Sequence, residues 1–380
     1  MFKRVFMVMI MATLLGIFPF VFGQSQNARI AGTQPELKRP QTPAKPYPYK
    51  DEEVTFENRE AGITLAGTFT RPEQGAPFPA VILIHGSGNL DRDETLQGHK
   101  PFLVLADHLT RRGFAVLRYD KRGVGTSQGS RGAATVELAT DAMAAFAYLK
   151  TRADVRKNQI GMIGHSEGGA IAPMCAAQVK DVAFLVLLAG PGLPGKDILM
   201  GQLEAFPRAE GTPEEEIKKN LELNVEILNI LASAAEADEA SAKMRDVLEK
   251  NSYFKTEQER KNPGLQKEAV KTNIRVMLMP AYRAWVKFDS RTYLEHVTVP
   301  VLALNGEKDL WVNPKRNLPE IEASLRKAGN QKFRVLELPG LNHAFQHAKT
   351  GTMAEIRMIE ETIAPEVLGL IADWIAEILK

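Results

Sequence analysis

Two rhythms of apolar residues divide this chain. Residues 53–58, EVTFEN, and 63–72, ITLAGTFTRP, alternate apolar and polar positions with Gly62 between them, so they predict an antiparallel pair joined by a turn. From residue 80 the strands lose their polar alternates. AVILIHG (80–86), FAVLRYD (114–120), IGMIG (160–164), VAFLVLLAG (182–190), VPVLALNG (299–306) and FRVLELPG (333–340) are short and apolar almost throughout. Helical patterns separate them at 101–112, 135–150 and 167–179, from Pro314 onward, and at 365–379. Apolar strands with helical crossovers mean a mostly parallel, doubly wound sheet covered on both faces, hence an α/β fold. Glu137 and Asp141 fall in the first turns of their helix, where the helix dipole favours acids.

The alternation stops between about residues 194 and 290. That stretch is helical, acidic and partly alanine-rich (PEEEIKKNLELNVEILNILASAAEADEA, 213–240) and shows no clear strand. It therefore reads as a helical insertion between two strands of one sheet, its acids forming a solvated helix face. No internal repeat is visible. Upstream, residues 24–50 carry Pro35, Pro40, Pro43, Pro46 and Pro48, which forbid a regular ladder or a helix interior and predict a linker. Residues 1–23 have Lys3 and Arg4 before an uncharged apolar run and a small-residue end, the pattern of a cleavable export signal, with an uncleaved anchor as the alternative. The expected divisions are thus a leader at 1–23, a linker at 24–50, a core at 51–193 and 291–380, and the insertion at 194–290.

Composition narrows the class. The 380 residues are 44% hydrophobic and 25% charged, ordinary globular values that allow a sizeable core. Removing residues 1–23 takes away two of the 48 basic residues and none of the 46 acidic ones, leaving a formal net charge of zero. A nucleic-acid or acidic-membrane partner needs a basic excess, so neither is expected. The single cysteine, Cys175, excludes an internal disulfide and a cysteine zinc cluster, and its apolar helix predicts burial.

In open α/β sheets reactive groups gather at the carboxyl ends of strands. Three such ends carry an acyl-transfer set. IGMIG runs into His165-Ser166-Glu167-Gly168, VPVLALNG into Glu307-Lys308-Asp309, and FRVLELPG into Leu341-Asn342-His343. The pentapeptide Gly164-x-Ser166-x-Gly168 occurs by chance in roughly one chain in eight of this length, so it decides nothing alone. Its place between a buried strand and a helix, with an acid and a histidine following in the order Ser, Asp, His, marks Ser166 as a nucleophile, Asp309 as the acid and His343 as the base. Glu307 competes with Asp309, and Asp289 and Asp120 less well. His347 competes with His343 but lies farther from its strand. Asp309 is favoured because Asn313 can cap a helix that has Pro314 in its first position.

An oxyanion hole needs two backbone N–H groups. The candidates are Glu167, at the helix start, and Ser87, in the His85-Gly86-Ser87-Gly88 loop. His85 reads as an organiser of that loop, and Asp91, Arg92 and Asp93 as its ion-pair braces. Glu167's side chain either meets a substrate amine or simply suits the helix dipole. Tyr282, Trp285, Phe288 and Met279 are candidates either for lining a pocket or for the core of the insertion.

HGSGNLDRDE, YDKRGVGTSQG, IGHSEGGAIAP, VPVLALNGEKD and LPGLNHAFQ together resemble the α/β-hydrolase superfamily, and more narrowly bacterial exported hydrolases of the serine-aminopeptidase and acyl-esterase type. The resemblance covers about residues 50–380, interrupted by the insertion. It implies an α/β-hydrolase fold, the triad Ser166, Asp309 and His343, the N–H donors Ser87 and Glu167, and a helical lid inserted between strands 6 and 7. It also implies no cofactor and no metal. The expected activity is a serine hydrolase cleaving small carboxylic esters. An aminopeptidase, amidase or thioesterase using the same triad is the alternative, and an inactive binding protein the reading from another class.

Overall fold

In the computed structural model the described residues are 37–233, 236–250 and 263–380. The leader expected at 1–23 and the first part of the linker lie outside them. The described chain divides into two compact units, one formed by Leu37–Leu193 with Asp289–Lys380 and the other containing Pro194–Phe288.

The first unit is built on one eight-stranded sheet. Its strands are β1 (Lys50–Asn58), β2 (Ile63–Arg71), β3 (Phe78–Ile84), β4 (Ala115–Tyr119), β5 (Val155–His165), β6 (Leu185–Leu188), β7 (Val301–Gly306) and β8 (Phe333–Leu338). Their order in the sheet is β1-β2-β4-β3-β5-β6-β7-β8. β1 and β2 pair antiparallel, Lys50 opposite Arg71, and β2 pairs antiparallel with β4. From β4 to β8 the pairs are parallel. The two rhythms in the sequence hold for β1 and for the central parallel strands, but β2 is buried from Leu65 to Thr70 and the edge strand β8 is only partly buried. β1 shows alternate exposed and buried positions, whereas β4, β6 and β7 are buried at every residue.

Helices α1 (Pro101–Arg111), α2 (Thr135–Thr151) and α3 (Gly168–Gln178) make the early crossovers. β5 starts at Val155, five residues before its apolar run, because the polar stretch Arg156–Gln159 sits at its exposed entrance. β6 is conversely shorter than its apolar run: Val182 and Phe184 are buried before the ladder begins. A core of Val81, Leu83, Phe102, Leu105, Val186 and Trp374 packs one face of the sheet. Asp141 departs from the sequence expectation. It is 1% exposed and takes Arg122 Nε at 2.7 Å and Asn58 Nδ2 at 2.7 Å, so a buried ion pair and not the helix dipole accounts for it.

The described part of the proline-rich segment forms no ladder, yet it is bound to its unit. Arg39 donates to the carbonyls of Gln97, Arg357 and Ile359, and Gln41 to that of Ile363. Side-chain donors replace the backbone ladder that proline denies, so residues 37–49 act as a strap where a free spacer was expected.

The second unit lies in the chain between β6 and β7. It consists of α4 (Gly195–Ala209), α5 (Glu214–Ser233), α6 (Ala237–Lys250), α7 (Pro263–Met277) and α8 (Pro280–Lys287). Ile217, Asn220, Leu223, Asn224, Ile227, Leu228 and Leu231 form the buried stripe of α5, at the three-to-four spacing of an amphipathic helix. After this unit come α9 (Arg291–Leu294), α10 (Pro314–Lys327), α11 (Met353–Met358) and α12 (Pro365–Ile378). Among the described residues no helix is long and apolar enough to cross a membrane.

Candidate active site

Ser166 stands between β5 and α3 with a φ of +52°, in the left-handed region that non-glycine residues seldom adopt. The neighbours show why the turn holds. A Cβ on Gly164 would come within 2.0 Å of the Gly168 carbonyl oxygen, and one on Gly168 within 2.0 Å of the Ile84 carbonyl oxygen. Backbone packs where side chains would be, and the Ser166 N–H is pinned to the Leu188 carbonyl at 2.8 Å. The serine side chain is left half-buried at the carboxyl end of the sheet.

Asp309 and His343 meet at the ends of β7 and β8. His343 Nδ1 donates to Asp309 Oδ2 at 2.7 Å. The other carboxylate oxygen accepts the N–H groups of Trp311 and Val312 at 2.8 and 2.9 Å, which fixes the orientation of the buried side chain. The Trp311 ring stacks on the imidazole, centroids 5.1 Å apart. The loops of Ser166 and His343 are joined through His165. Its ring lies 4.9 Å from that of His343, and its Nε2 donates to the His343 carbonyl at 3.0 Å.

The competing residues go elsewhere. Glu307 is turned to Lys308 and the Gly340 N–H. Asp289 pairs with Arg291, Asp120 with Arg92, and the exposed His347 with Glu361 and Glu366. Asn313 does precede α10 with Pro314 in its first position, but its side chain makes no cap bond: its Oδ1 is buried without a partner. Cys175 is free and buried, and burial pushes its thiol up to about 12.

Opposite the elbow runs the loop after β3. A Cβ on Gly86 would stand 3.1 Å from that of Ser166, a tight contact that glycine avoids where the loop approaches the serine. Gly86 N–H is consumed by Glu94 Oε1 at 2.6 Å. The N–H groups of Ser87 and Glu167, by contrast, donate to no acceptor among the described residues. Two of the loop's three expected braces, Arg92 and Asp93, are ionic, whereas Asp91 forms hydrogen bonds within the loop and no ion pair. Arg92 grips Asp120 at 2.8 Å and also reaches Glu53, Asp93 takes Arg118, and Asp91 accepts the Thr95 hydroxyl. His85 packs between Phe102 and Tyr119, each 5.3 Å away, with no hydrogen-bond partner on either nitrogen. Burial pushes it down to about 4, so it is a neutral spacer at physiological pH.

Three polar residues here escaped the sequence reading. Glu94, Lys121 and His165 are buried or nearly so and link the loops through partners 8 to 178 positions away. Lys121 and His165 stand at the ends of buried strands, but Glu94 lies ten residues beyond β3 and has no such local sign. His165 faces two acceptors, Glu94 Oε1 at 3.1 Å and the His343 carbonyl, and bonding both requires protons on both ring nitrogens. Burial opposes that charge, but the Glu94 carboxylate overcomes it and raises the imidazole's pKa; burial likewise opposes ionised Glu94, whose pKa His165 nevertheless holds below the usual range. Glu167's carboxylate is spoken for, taking Thr135 Oγ1 at 2.7 Å and standing 3.4 Å from Lys121 Nζ. Tyr282, Trp285 and Phe288 are buried, and the last two stack at 5.5 Å within their own unit. Met279 is half-buried where α8 begins. Among the described residues no group of His, Cys, Asp and Glu is placed to hold a metal ion.

An eight-stranded, mostly parallel sheet with a strained serine elbow after its fifth strand defines an α/β-hydrolase. Residues 77–349 match the model of the serine aminopeptidase S33 hydrolases, and the chain belongs to that family. It is 26% identical over 334 residues to esterase EstD of Thermotoga maritima, an alignment covering 87% of this chain and 69% of that protein. Among solved structures, an esterase of Pyrococcus furiosus superposes with a TM-score of 0.51 at 16% identity, over 92% of this chain and all of that one. A hypothetical protein of Pseudomonas aeruginosa does so with a TM-score of 0.52 at 18% identity, over 90% and 98%. These two likenesses concern the fold.

Proposed function

We propose that this hydrolase is a carboxylesterase that works through an acyl-enzyme on Ser166. The observation that carries the reading is the 2.7 Å bond from His343 to a doubly anchored Asp309, in a loop tied through His165 to the strained serine. In this reading His343 takes the Ser166 proton as Oγ attacks the ester carbonyl, and Asp309 holds the imidazole in the required tautomer and offsets its positive charge. The N–H groups of Ser87 and Glu167 receive the developing oxyanion. His343 then protonates the leaving alcohol, and water attacks the acyl-enzyme with the same base. No cofactor or metal enters these steps.

The ester substrate is favoured over a peptide by Glu167. A terminal amine would need a free carboxylate beside the serine, and this one is buried and already bonded to Thr135 and Lys121. The relative named an esterase supports the same choice. Residues 194–290 are read as a substrate-selecting lid from their place in the chain between β6 and β7, and residues 1–23 as an export leader from their sequence pattern, which places the mature enzyme in the periplasm or outside the cell.

The test is kinetic. Ser166→Ala should lower hydrolysis of p-nitrophenyl acetate by on the order of 10⁴-fold or more and abolish labelling by a fluorophosphonate probe. Retention of most activity overturns the assignment. Faster cleavage of an aminoacyl p-nitroanilide than of the matched p-nitrophenyl ester would move the enzyme to the peptidases.

A further inference from the structure

We infer that Lys121 is a positioning residue for the oxyanion hole, orienting and polarising the two backbone donors at Ser87 and Glu167; the inference rests on the reading of the site given above. Lys121 follows β4 and is 6% exposed. Its Nζ donates to the Gly86 carbonyl at 2.6 Å and stands 3.4 Å from Glu167 Oε2. One buried cation thus holds both residues or peptides from which the proposed donors come.

The Gly86 carbonyl and the Ser87 N–H belong to a single peptide group. That group is planar and trans, so the two bonds point in opposite directions. An ammonium fixed on the oxygen therefore sets the direction of the N–H on the far side. It also draws electron density toward the oxygen and makes the N–H a stronger donor, the mutual polarisation expected in hydrogen-bonded chains inside proteins. The preceding peptide is held as well, because its N–H, on Gly86, is bonded to Glu94. Neither plane can turn, which is the preorganisation that stabilises charge as it develops.

The second donor is reached through its own side chain. Glu167's carboxylate lies between Lys121 and the Thr135 hydroxyl, so the residue following the nucleophile is anchored from two sides. Lysine suits the task better than arginine: a compact charge can serve two acceptors at different angles, whereas a guanidinium presents a rigid fork. A buried ammonium adds little net stability compared with an apolar residue of similar volume, which leaves its charge to be explained by the site.

Lys121→Met and the double variant Lys121→Met/Glu167→Gln test this. The double variant removes the unpaired buried carboxylate that the single one leaves, and so separates folding from catalysis. Lys121→Met should lower kcat for p-nitrophenyl acetate by about tenfold or more with KM changed less than about threefold. Binding of an alkyl trifluoromethyl ketone, which forms a tetrahedral oxyanion on the serine, should weaken by the same factor as kcat/KM. The double variant should regain the thermal midpoint lost in the single one and keep the low kcat. Wild-type kcat in the double variant, or a loss confined to KM, overturns the inference. Should Ser166→Ala stay active and the wild-type serine resist fluorophosphonate, the reading of the site falls first and the role of Lys121 with it.

Discussion

The two units differ in the charge pairs they bury. In the helical unit charges meet at i,i+4 on exposed surfaces: Arg208 with Glu204, Lys219 with Glu215, Lys243 with Glu239. Even its buried amides, Asn220 and Asn224, are four residues apart. The α/β unit has surface pairs of that kind too, as in Arg111 with Asp107 and Arg326 with Glu322, but it adds buried pairs distant in sequence: Arg122 with Asp141, Lys121 with Glu167 and Arg118 with Asp93. Local surface pairs contribute little and serve solubility, whereas a buried pair costs desolvation and must be matched by its partner. The difference teaches where chemistry is built: in the unit that accepts the cost of buried charge.

The contrast can be broken by experiment. The largest effect belongs to Asp309→Asn, which should lower kcat by about 10⁴-fold because His343 loses the acceptor that fixes its tautomer, as steady-state hydrolysis will show. Arg122→Ala comes next. It leaves Asp141 buried without its cation and should cost about 3–5 kcal/mol in denaturant unfolding; a loss under about 1 kcal/mol would erase the distinction drawn between the units. His165→Gln should then lower the thermal midpoint by about 2–4 °C, with a defined pH course. Because the folded-state pKa of His165 is raised, its contribution is complete below about pH 6.5 and fades as pH rises through that raised value. Glu94, whose folded-state pKa is lowered, contributes above about pH 4.5 and loses that contribution as pH falls through the lowered value. The wild-type advantage over His165→Gln should therefore be greatest between those limits, and an advantage independent of pH would show that His165 is neutral. Smallest is Lys219→Ala in the helical unit, which should leave the unfolding midpoint unchanged within error.

What the sequence disclosed follows the same division. Strand type, the antiparallel start and the helical interruption are written in periodicity, so β1 to β8 could be placed before any coordinates. The proposed set of Ser166, Asp309 and His343 can be picked out because each follows an apolar run, and the structure places Asp309 and His343 in contact. Lys121, Glu94 and His165 cannot be picked out, because nothing local says that a lysine after β4 will reach Gly86, 35 residues earlier. Asp141 misled for the same reason: its helix position suited the dipole, while its partner lay 19 residues upstream. Asn313 shows that a favourable cap residue need not use its side chain when proline already sets the first turn.

The strap at Arg39 and Gln41 also defines a mechanical path. Whatever precedes Leu37 pulls first on a guanidinium bonded to three carbonyls distant in sequence, those of Gln97, Arg357 and Ile359, and only then on the ladder of β1. Tension from the amino terminus is thus shared between the loop after β3, through Gln97, and the segment ahead of α12 before it reaches the ladder of β1.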